Sequence, residues 1–68
     1  MNLIKEFREK QGMTQRQLAN EANVSIRTIQ GIEQNIRKPS TKLILKLFKI
    51  LKIPLTRLEI FLSSYTTK

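Results

Sequence analysis

Apolar residues recur at helical spacing in five short runs, divided by polar punctuation. The first run, Leu3, Ile4 and Phe7, predicts a helix capped by Asn2 and reaching about Gln11. Gly12 supplies the left-handed residue that closes it. Thr14 and Gln17 then form a T-x-x-Q capping box, in which the threonine hydroxyl accepts from the Gln17 amide and the glutamine reaches back. Leu18, Ala19 and Ala22 share one face of the second helix, and the two alanines are small where another helix must cross closely. Asn23 falls at the bend, where a positive φ is needed and Asn tolerates it better than any residue but Gly. Val24 plugs the corner, and Ser25 caps a third helix running to Gln34. In it Ile29 and Ile32 point inward, while Arg27, Gln30, Gly31 and Gln34 fall on the opposite, solvent face.

The tract from Gln34 to Ser40 reads as a polar loop, with Asn35 supplying the helix C-terminal turn and Ile36 as its one buried candidate. Pro39 disfavours helix at Lys38, and Ser40 or Thr41 caps a fourth helix from about Thr41 to Leu51. Leu43, Ile44, Leu47, Phe48 and Leu51 give that helix a wide apolar arc, with Lys42, Lys46 and Lys49 as a solvated row opposite. Ile53-Pro54 breaks the chain. A fifth helix spans roughly Leu55 to Leu62, opened either by Pro54 in the first turn or by a Thr56–Glu59 capping box. Leu55, Leu58, Phe61 and Leu62 suit the core, which leaves Ile60 on another face. Residues 63–68 form a polar tail. The pattern describes one all-α, compact five-helix domain over residues 1–68, without internal repeat or linker.

Leu18, small Ala19, the turn residue Asn23, and hydrophobes at Val24, Ile29 and Ile32 resemble the helix-turn-helix of the Cro/lambda-repressor (Xre-type) family. The likeness runs from about Ile4 to Phe61, and Gly31-Ile32-Glu33-Gln34-Asn35 with Pro39-Ser40 is similar to the family's segment after the recognition helix. Asn23 departs from the family's preference for Gly there, which alters the strain of the turn and not the fold. The resemblance implies a lambda-repressor-like DNA-binding domain, with the second and third helices as the helix-turn-helix.

Composition narrows the chemistry. Cysteine and histidine are absent, which removes disulfides, thiolate and imidazole metal ligands and the usual general base. The five carboxylates mostly have basic neighbours three or four residues away, so no nucleophile–base pair can be named and no enzymatic activity, cofactor or metal is expected. A net charge of +8 points to a polyanionic partner: nucleic acid, an anionic membrane surface or an acidic protein. No apolar run reaches membrane-spanning length, since Lys46, Lys49 and Lys52 break Leu43–Leu55. Lys5, Glu6, Arg8 and Glu9 interrupt any secretory signal, so a cytoplasmic protein is expected. The basic residues are spread over several helices rather than along one seam, which argues against a membrane-surface peptide.

On the resemblance, the helix from 25 to 34 enters the major groove of double-stranded DNA. Arg27 is the first candidate for reading a base, because a guanidinium can bond guanine O6 and N7 together. Thr28 bonds a base or phosphate, Ile26 packs on a thymine methyl, and Gly31 lets the helix sit deeper at a base-contact position. Gln15 and Arg16 at the start of the second helix, with Arg37 and Lys38 after the third, are the phosphate contacts. The family also implies an ion pair between Arg8 and Glu33. One copy reads only a few base pairs, so a homodimer on a pseudo-palindromic operator is expected, joined through Leu58, Ile60, Phe61 and Tyr65. The role implied is a transcriptional regulator, a repressor or autoregulator. The alternative is an antitoxin or protein-binding module of the same fold, acting on an acidic partner.

Overall fold

Four helices begin on a side-chain oxygen and end on a left-handed residue. In the computed structural model, which describes residues 2–63, these are α1 (Leu3–Lys10), α2 (Gln15–Ala22), α3 (Ile26–Glu33) and α4 (Thr41–Leu51). A 3₁₀ turn (Leu55–Arg57) then leads into α5 (Leu58–Ser63). The side chains of Asn2, Thr14, Ser25 and Ser40 accept amides of the first turns of α1 to α4, satisfying donors that a helix cannot pair internally. Thr14 and Gln17 complete their box reciprocally, at 3.0 and 2.8 Å.

The four exits share one geometry. Gly12, Asn23, Asn35 and Lys52 all have φ between 58 and 69°. The residue after each donates back to the carbonyl five positions earlier: Met13 to Arg8, Val24 to Ala19, Ile36 to Gly31 and Ile53 to Phe48, at 2.9–3.1 Å. This is the Schellman turn, which commonly adds an apolar contact between that residue and the last helical turn. Met13, Val24 and Ile53 make it, packing on or within the core. Ile36 does not: it is 76% exposed, against its expected burial, because the helical residue it would pack on is Gly31, which has no side chain.

Ile4, Leu18, Ala22, Ile29, Ile32, Leu47 and Leu51 are fully buried, and Ala19 and Ala22 let α2 lie close against α3 and α4. Phe48 and Phe61 close the far side edge to face, with centroids 5.6 Å apart. Phe61 is 1% exposed, so it is core and not the dimer-interface residue expected from the sequence; its ring is already used inside its own chain. Leu55 is corrected the other way. It is 64% exposed, because the chain leaves Pro54 as an uncapped 3₁₀ turn, which puts Leu55 at the rim of a shallow groove with Leu45 and Lys49. Lys46 departs from the solvated row: its Nζ donates to the Ala22 carbonyl at 3.2 Å, where the end of α2 attracts a cation. Among the described residues no helix is long and apolar enough to cross a membrane.

Candidate nucleic-acid interface

The outward pose of α3 is fixed from beneath. Arg8 on α1 donates from Nε to Glu33 Oε2 at 2.6 Å and from Nη2 to Oε1 at 3.1 Å, while its Nη1 donates to the Met13 carbonyl at 2.7 Å. Gln15 Nε2 donates to the same Glu33 Oε1 at 3.0 Å. One buried carboxylate at the end of α3 therefore ties α1 and the start of α2 to it. The bond to Glu33 is the main reason the Arg8 guanidinium is held above its ordinary value, with burial opposing. A second tie runs through Asn2, a buried side chain that does two jobs. Its Oδ1 caps α1, and its Nδ2 donates to the Ile32 carbonyl and to Asn35 Oδ1, each at 2.8 Å.

These ties turn one face of α3 to solvent. Arg27 and Gln34 are exposed, and Gln30, Gly31, Thr28 and Ile26 are half-buried. Ile26 spends part of its surface against the core, so only its outer edge faces solvent. Thr28 is bound locally: its amide donates to Ser25 Oγ at 3.2 Å and the two hydroxyls lie 3.0 Å apart. Arg16, Arg37 and Lys38 are all exposed. The Gln15 side chain is turned toward Glu33, so what α2 offers an anion at this position is its backbone amides.

Arg37 lies over Gly31. A Cβ placed on Gly31 would lie 3.1 Å from Arg37 Cβ, 3.8 Å from Nε and 3.9 Å from Cδ. The space left by the missing side chain is therefore taken by Arg37, and does not stand open for a closer approach of the helix. Arg27, Gln30, Gly31, Gln34, Ile36 and Arg37 border a single groove. Periodicity places the α3 members of this set. Arg37 is brought there only by the turn at Asn35, whose sign is the asparagine five residues after Gln30 with a glycine four before it.

Of the expected interface residues on α5, Ile60 is 63% exposed and Leu58 is half-buried against the core. Tyr65 lies outside the described residues. A family model described as helix-turn-helix matches residues 4–58. No curated protein matches the chain, and no solved structure does.

Proposed function

The chain belongs to the Cro/C1-type helix-turn-helix family of DNA-binding regulators, and from that premise we propose that it recognises a specific double-stranded sequence as a homodimer and regulates transcription, as a repressor or autoregulator working in the cytoplasm. The observation that carries the reading is the exposed face of α3 bearing Arg27, held outward by the buried Arg8–Glu33–Gln15 bonds. Such a helix fits the major groove, where each base pair shows a distinct set of donors and acceptors. Arg27 reads a base there, with Thr28 and the free edge of Ile26 beside it. Arg16, Lys38 and the first amides of α2 grip phosphates, which fixes register and makes binding salt-sensitive. The charge of +8 favours the encounter.

One helix covers only a few base pairs, so two copies on half-sites about one helical turn apart supply the rest of the affinity and specificity. Ile60 is the apolar residue of α5 left for that pairing, with Leu58 at its edge. Selection of bound sites from random duplexes tests the whole reading. Palindromic sites should emerge, with preference relaxed at one position per half-site in Arg27→Ala. Lys38→Ala should weaken every site alike and lower the salt slope by about one unit. Equal binding to all duplexes would overturn the assignment.

A further inference from the structure

The turn after α3 carries its arginine back onto the helix rather than away from it. Ile36 and Arg37 both donate backbone amides to the Gly31 carbonyl, at 2.9 and 3.1 Å. Asn35 makes this possible by taking φ 59°, which reverses the chain within one residue. The Arg37 stem then runs across the bare Cα of Gly31, with Cβ, Cδ and Nε all within 4 Å of where a side chain would begin. Gly31 is an unusual residue for a helix interior, where it costs about 1 kcal/mol relative to alanine. Its place here is explained by what lies on it.

Arg37 therefore shares the groove of Arg27, Gln30 and Gln34, where Ile36 adds an exposed apolar tip. Gly31 lies four residues beyond Arg27, one turn along the same face and about 6 Å up the axis. Two guanidinium groups thus stand on one helix face, one from the helix itself and one laid over it by the following turn. A side chain seated in this way loses less freedom when it binds than one on an open loop, and an arginine fork matches guanine O6 and N7 together.

From this geometry we infer that Arg37, seated on Gly31, is a second base-reading residue that selects a guanine at a position distinct from the one read by Arg27, rather than a phosphate clamp. The inference rests on the DNA-binding reading above and names a specificity residue within it. Gly31 is a positioning residue: it touches no base and acts through Arg37.

The test is site selection from random duplexes with the full chain, comparing wild type with Arg37→Ala, Arg37→Lys and Gly31→Ala. Arg37→Ala should relax preference at one position by roughly tenfold, a position other than the one that Arg27→Ala relaxes, and leave the others in place. Arg37→Lys keeps the charge but not the fork, so it should lose that same preference while retaining most non-specific affinity. Gly31→Ala pushes a methyl into the Arg37 stem and should blur the same position with no loss of helical circular dichroism. If Arg37→Ala weakens all sequences by one factor and Arg37→Lys restores them, Arg37 grips phosphate and the inference fails while the regulator reading stands. A wild-type chain with no preference at any position defeats the regulator reading itself, and this inference with it.

Discussion

Arg8 and Glu33, 25 residues apart, are joined by a two-pronged bond at 2.6 and 3.1 Å in a site nearly closed to water. Breaking such a pair from one side strands the other charge, an effect of about 3–5 kcal/mol. Arg8→Ala is expected to remove cooperative melting at room temperature from a chain this short, whereas Arg8→Met combined with Glu33→Leu should melt near wild type. Thermal melts by circular dichroism decide it, and an Arg8→Ala protein melting within a few degrees of wild type refutes the central role of the pair. Since Arg8 is held above its ordinary value, the stabilisation on its side is fully present below the usual arginine range and is lost only as pH rises beyond it. No decline in stability between pH 7 and 10 should trace to this arginine.

Asn2 bonds with both ends of its amide, so Asp is a poor substitute even though it caps isolated helices as well as Asn does. Asn2→Ala should destabilise by about 2 kcal/mol, combining a lost cap with the lost Nδ2 bonds to the Ile32 carbonyl and Asn35. Asn2→Asp should cost nearly as much, because its oxygen would face that carbonyl. Urea titration separates the outcomes: an Asp variant equal to wild type would show that capping alone matters.

Lys52 holds φ 58° with a full side chain, which L-residues other than Asn and Asp adopt reluctantly. Lys52→Gly should stabilise the fold by about 0.5 kcal/mol, or roughly 3 °C in Tm. Asn23→Gly should gain less than half of this, as Asn already tolerates the conformation. Equal or negative shifts in a paired melting experiment would count against backbone strain at Lys52.

Ile60 and Phe61 are neighbours with opposite surroundings. Phe61→Ala should cost about 3–5 kcal/mol by emptying the ring site against Phe48. Ile60→Glu should leave Tm within a few degrees while converting a dimer to a monomer in analytical ultracentrifugation. A dimer that survives Ile60→Glu would move the proposed interface off this face of α5.

Much of the frame can be read from the sequence because it is written in local chemistry. Asn2, Thr14, Ser25 and Ser40 announce helix starts, and Gly12, Asn23 and Asn35 announce ends, since each acts on backbone groups a few residues away. The failures involve residues whose surroundings come from elsewhere in the chain. Apolarity alone cannot tell that Phe61 meets Phe48 while Leu55 meets water. Nor does it show that Ile36 loses its partner because Gly31 has none to give. Lys52 carries no turn signal, and its left-handed backbone is imposed by the packing of Ile53 into the core. The course of Arg37 over Gly31 is hidden for a related reason: a loop read as a polar connector does not show the reversal that Asn35 builds into it.

Helices α1, α2 and α3 have eight residues each, well under the dozen or so that a helix needs to persist alone in water. An excised peptide holding only the turn motif would therefore be mute, and so would a chain whose interior is damaged far from any surface arginine. Recognition and folding are one equilibrium in a molecule built this way. A matching duplex should raise the melting temperature in step with its concentration, and a mismatched one should raise it less.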